Sequence, residues 1–202
     1  IVGRDYVSGA MENTTATLHQ ESAYQNARQL KDGNIWEGTI AHELFHQWFG
    51  DLVTTESWSN ITVNESFANY SEYLWSEYKY GKDDADEHNL EDMQGYLFSG
   101  SETKDLVRYH YSNKEDVFDA VSYNKGGRIL HMLRNYVGDD AFFKSLNLYL
   151  TANKFKAGEA AQLRLAFEEV TGMDLNWFWN QWYYGSGHPV LNINYNYDLP
   201  GV

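Results

Sequence analysis

His42-Glu43-Leu44-Phe45-His46, with Glu65 following in Val63-Asn64-Glu65-Ser66-Phe67-Ala68, is the stretch that decides the fold of this 202-residue chain. Residues four apart share one face of a helix, so His42 and His46 can turn imidazole nitrogens toward a single metal ion. Glu65, on what reads as the next helix, supplies a carboxylate as third ligand. Three protein ligands plus one water is the arrangement of catalytic zinc, and a His, His, Glu set is one of its known forms. With seven histidines in the chain, a His-Glu-x-x-His pattern arises by chance only about 0.02 times.

The residues of this stretch divide the work. A zinc ion held by His42, His46 and Glu65 lowers the pKa of its water toward ~7 and polarises an approaching carbonyl. Glu43 sits beside a ligand without being one, which suits it to take a proton from that water and pass it to a leaving amine. Glu72 lies seven residues after Glu65 on the same helical face and is the candidate to accept the outward N–H of a ligand imidazole. One Zn2+ per chain is the expected cofactor. The absence of cysteine excludes disulfides and a thiolate site.

Four motifs in one order extend the reading: Gly9-Ala10-Met11-Glu12-Asn13, the His-Glu-x-x-His run with Glu65 eighteen residues on, Trp48-Phe49-Gly50-Asp51-Leu52-Val53-Thr54, and Ser122-Tyr123-Asn124-Lys125-Gly126. Together they resemble the aminopeptidase N type of zinc metallopeptidase, a gluzincin family that includes the leukotriene hydrolases. The resemblance runs from about residue 5 to residue 190. It implies a thermolysin-like catalytic domain acting as an exopeptidase on peptides with a free N-terminus. By the same resemblance Glu12 binds the substrate amino group, the backbone of Gly9 and Ala10 lines up with an extended substrate, and Met11 borders the first side-chain pocket with Asn13 closing the motif. Tyr123 is the counterpart of the tyrosine whose hydroxyl stabilises the oxyanion. A carboxylate pairing with an ammonium group would set the first peptide bond over the metal. The rival readings are a zinc endopeptidase of the same fold and a catalytically silent scaffold relative. Two departures from the family pattern stand out: Ser66 where glycine commonly follows the ligand Glu, and Thr14-Thr15 in place of an aromatic residue and glycine.

A net charge of −14 argues against nucleic acid or an anionic membrane as partner. No run approaches the ~18 apolar residues of a transmembrane segment, and no signal peptide opens the chain. The run Asp83-Asp84-Ala85-Asp86-Glu87 reads as a solvated helix face. The fold class expected is mainly α with a small β edge (α+β). Helices are expected from Asn34 to about Phe49, from Val63 to about Tyr80, and over 84–98, 119–137, 140–152, 159–171 and 175–184. Residues 2–19 should be extended around a turn at Gly9, with β-formers from Thr14 to Leu18. The alternation from Val190 to Tyr197 reads as a strand. The resemblance implies domains on either side, so 1–188 is expected to be an N-terminally incomplete catalytic domain and 189–202 the start of a following β domain, with the remaining domains of a larger parent chain as partners.

Overall fold

The computed structural model describes residues 1–6 and 8–197. Its α-helices are α1 Glu37–Phe45, α2 Thr62–Lys79, α3 Lys82–Leu97, α4 Gly126–Val137, α5 Asp139–Asn153, α6 Ala160–Thr171 and α7 Asn176–Trp182. Strands β1 Val2–Gly3, β2 Ala10–Met11 and β3 Leu18–Gln20 form a small sheet in the order β1-β3-β2. In it β3 runs parallel to β1 and antiparallel to β2, with Ala10 opposite His19 and Met11 opposite Leu18. Strands β4 Val53–Thr55 and β5 Lys156–Gly158 pair in parallel. The architecture is mainly α with a small β edge. Among the described residues no helix is long and apolar enough to cross a membrane.

Helix α2 is the axis. Every residue from Thr62 to Ser71 is buried, so its polar side chains must find partners inside. Ser66 Oγ donates to the carbonyl of Ser122 (2.6 Å), and Ser71 Oγ to that of Ala68 (2.6 Å). Helix α4 approaches α2 at two glycines. A Cβ on Gly126 would fall 1.9 Å from Ser66 Oγ, and one on Gly127 would fall 2.1 Å from Asn69 Oδ1. At the other flank Phe45 stacks on Phe49 (5.3 Å between centroids) and Phe49 on Phe67 (4.1 Å). These rings tie the end of α1 to α2 through apolar area and offset stacking.

Several elements differ from the sequence expectation. Helix α1 starts at Glu37 because Asn34 closes a turn, its side chain accepting from Trp36 N–H (3.0 Å) and its carbonyl from Glu37 N–H (3.2 Å). It ends near His46 because Gly50, at φ 146°, sends the chain into β4. Asn13–Ala16 is a turn rather than a strand, and the strand begins only at Leu18: Ala16 N–H donates to Asn13 O (2.7 Å), and Thr15 takes φ 62°. The stretch 119–137 divides into a π-helical turn, Val121–Lys125, and α4. Residues 190–197 take no regular element and lie exposed, and the end of the expected 189–202 unit, residues 198–202, lies outside the described residues.

Candidate metal centre

His42 on α1, His46 at its end and Glu65 in the first turn of α2 meet at the floor of a cleft of about 1320 Å³. His42 Nε2 and His46 Nε2 each lie 3.4 Å from Glu65 Oε2, and the three donor atoms all fall within 4.8 Å of one another. A tetrahedron with zinc–ligand bonds of ~2.05 Å has edges of about 3.3 Å, so the spacing around Glu65 fits zinc. The other ring nitrogens are already engaged. His42 Nδ1 is 2.9 Å from Glu72 Oε1, and His46 Nδ1 is 2.9 Å from the carbonyl of Phe49. Each acceptor holds the proton on Nδ1 and leaves the Nε2 lone pair facing the metal position. Burial works against charge on both imidazoles, but Glu65 raises their pKa values, helped at His42 by Glu72. Burial works against Glu65 in turn, and the two histidines outweigh it and lower its pKa. The pocket thus attracts positive charge strongly, as a zinc cradle requires.

Glu43 is buried and lines the cleft beside the ligands. Burial pushes its carboxyl up to about 7, against the pull of His42 and His46. Glu12 approaches from the sheet edge: its carboxylate, that of Glu43 and a nitrogen of His46 form a second set within 4.8 Å. Gly9, Ala10, Met11 and Glu12 all line the cleft, Gly9 at φ 83°, whereas Asn13 does not and instead closes the turn to Ala16. The side chain of Gln47 fixes this edge to the metal helix. Its Oε1 accepts from Thr15 N–H (2.8 Å) and its Nε2 donates to Glu12 O (2.8 Å), which determines the orientation of the amide.

Tyr123 stands on the π-helical turn and also lines the cleft, its ring 6.0 Å from that of His42 and nearly parallel to it. Burial, followed by the negative charge of Glu65, Glu12 and Glu43, raises its pKa, so the phenol keeps its proton. Ser66, next to the ligand Glu65, is joined to this turn through Ser122 O and to its own helix through Thr62 Oγ1 (2.7 Å).

Residues 1–182 match the Peptidase family M1 domain. The chain belongs to the M1 family. Aminopeptidase M1-A of Oryza sativa subsp. japonica is 32% identical over 200 residues, which cover 94% of this chain and 22% of that protein. A mutant M1 zinc metallopeptidase from Deinococcus radiodurans, solved with a Tyr-Ser-Ala substrate, superposes with a TM-score of 0.71 at 28% identity, covering 94% of this chain and 40% of that one. Yeast LTA4 hydrolase shares the fold, with a TM-score of 0.78 at 24% identity over 93% of this chain and 31% of its own. The chain therefore spans about a fifth of the length of the rice relative. The solved M1 neighbours from Deinococcus radiodurans are zinc metallopeptidases, and zinc is the cofactor that His42, His46 and Glu65 of this M1 domain fit.

Residues that the sequence did not single out also shape this M1 centre. Gln47 sits next to a ligand, but nothing in its spacing announces a bridge to Glu12. Asn64, one residue before Glu65, is buried in the cleft wall with its Oδ1 unpaired.

Proposed function

We propose that this domain is the catalytic part of a metalloaminopeptidase that removes N-terminal residues from peptides, working within a longer polypeptide. The observation that carries the reading is the carboxylate of Glu12, held within 4.8 Å of Glu43 and His46. A free ammonium group paired there leaves the first peptide bond beside the metal ligands, while a chain continuing past that point meets the acidic wall. This favours the exopeptidase over the endopeptidase. Buried Glu43 and part-buried Tyr123 beside a complete ligand set favour an active enzyme over a silent scaffold. The tripeptide bound by the Deinococcus enzyme is a ligand of the same class.

When bound, the zinc supplies a Lewis acid and a water of lowered pKa. Glu43 takes the proton from the attacking water and returns it to the departing amine, so one carboxylate serves as base and then acid. Tyr123 keeps its phenolic proton and donates to the carbonyl oxygen as negative charge develops there, where a donor is worth most. Glu72 and the Phe49 carbonyl hold the imidazoles of His42 and His46 in one tautomer. Gln47 keeps Glu12 at a constant distance from the helix that carries Glu43.

N-acetylation of a good peptide substrate should abolish cleavage. Glu12→Gln should raise KM for the free peptide at least about tenfold, since it removes a charge-assisted pair. Cleavage of the acetylated peptide at an undiminished rate would establish an endopeptidase instead.

A further inference from the structure

We infer that Arg108 is a positioning residue for Tyr123, acting through Asp119 and Ser122; this rests on the reading of Tyr123 as the oxyanion donor. Arg108 does not line the cleft, so it cannot touch a substrate there. Its guanidinium is nearly buried, with 10% of the side chain exposed, beneath the turn that carries Tyr123. One edge forks onto Asp119, with Nη1 to Oδ2 at 2.7 Å and Nη2 to Oδ1 at 3.0 Å. The same two nitrogens reach Ser122 Oγ (2.8 Å) and the carbonyls of Val117 (3.1 Å) and Asp116 (3.2 Å). Four N–H groups on Nη1 and Nη2 share five acceptors from one short segment, more than the three donors of a lysine ammonium could serve.

Two of those acceptors, Asp119 Oδ1 and Ser122 Oγ, tie the fork to the π-helical turn. Asp119 Oδ1 accepts from Val121 N–H (3.0 Å) and Ser122 N–H (3.3 Å), and its carbonyl accepts from Tyr123 N–H (3.1 Å). Lys104 adds a second cation on Asp119 Oδ2 at 2.8 Å. The wide winding is closed by Lys125 N–H on Ala120 O (2.9 Å). Single π turns are rare, and they recur where function requires a side chain off the regular α-helical path. Ser122 is fully buried and is gripped from both sides: Arg108 holds its hydroxyl and Ser66 its carbonyl. Tyr123 follows directly, so the direction of its phenol is set by groups that never meet the substrate. Without Arg108, Asp119 keeps a part-buried charge with only Lys104 to answer it, and the local winding loses its reason to stay wide.

The test is a double-mutant cycle in the complete zinc-loaded protein, reading kcat, KM and the inhibition constant of a phosphinic peptide that mimics the tetrahedral state. Tyr123→Phe should lower kcat about 10²-fold. Arg108→Ala should lower kcat about tenfold with KM within about twofold, and weaken the phosphinic peptide in step with kcat. In the Tyr123→Phe background the same Arg108 replacement should cost under about twofold, because the hydroxyl it directs is gone. Equal costs in the two backgrounds would overturn the proposal and leave Arg108 a general packing residue. No effect of Tyr123→Phe would instead refute the oxyanion reading, and the inference with it. Should Arg108→Ala fail to fold, Arg108→Lys carries the same cycle, keeping the charge while losing the fork.

Discussion

The two helices that meet at the metal are built in opposite ways. Helix α1 carries His42 and Glu43 on nine residues, of which Glu43 alone is buried, and His46 follows directly as its C-cap. Its outward face is apolar and open, with Ile40 41% and Leu44 56% exposed. Helix α2 carries Glu65 on eighteen residues, eleven of them buried. The chemistry is thus concentrated on the lightly held helix and the stability on the deeply held one. Rigid placement by α2, the Phe45–Phe49–Phe67 stack and the Gly126 and Gly127 contacts lets α1 devote its inner face to reactive groups.

The strongest way to break this contrast is to alter Glu43. Glu43→Gln is expected to lower kcat about 10³-fold, the scale of a lost general base, while zinc content and thermal midpoint stay close to the parent values. Elemental analysis and a melting curve beside the assay check it, and loss of zinc would mean that Glu43 is a ligand and that α1 does not separate base from ligands. Next in size is Phe67→Ala on α2, which removes a ring that is 2% exposed and stacked on Phe49. It should cost about 3–5 kcal/mol of stability in denaturant unfolding. A cost below about 1 kcal/mol would show that α2 is not the anchor. The smallest effect sharpens the contrast: Leu44→Gln, on the same helix as the ligands but on its open face, should change stability by no more than about 0.5 kcal/mol and leave kcat unchanged.

What could be read from the sequence follows the range of the interaction. The pairing of His42 with His46 is a matter of helical periodicity, and so is the placement of Glu72 on the face of α2 that carries Glu65. The solvated run at 83–87 is likewise local: Asp83, Asp84, Asp86 and Glu87 are exposed and only Ala85 is buried. Glu12 and Tyr123 entered through resemblance alone, because one carboxylate in a turn and one of 16 tyrosines carry no periodic signal. The strand expected from Thr14 failed because a turn hydrogen bond at Asn13 outweighed the β propensity of threonine. Interactions with no periodic spacing left no trace in the sequence: the parallel match of Val53 with Lys156, the Arg108 fork, and the π winding that depends on it. None recurs at a helical or strand period, so no spacing in the chain announces it.

Gly126 and Ser66 impose an order on how this sequence can change. A methyl group at 126 would land on the Ser66 side chain, 1.9 Å from its oxygen and 2.6 Å from its Cβ, and α2 and α4 are both too deeply packed to part. Alanine at 126 therefore requires the whole Ser66 side chain to be gone, Cβ included, so Ser66→Gly must come first. The opposite order would pass through an intermediate with two Cβ atoms 2.6 Å apart, so this one contact sets the order in which the two positions can change.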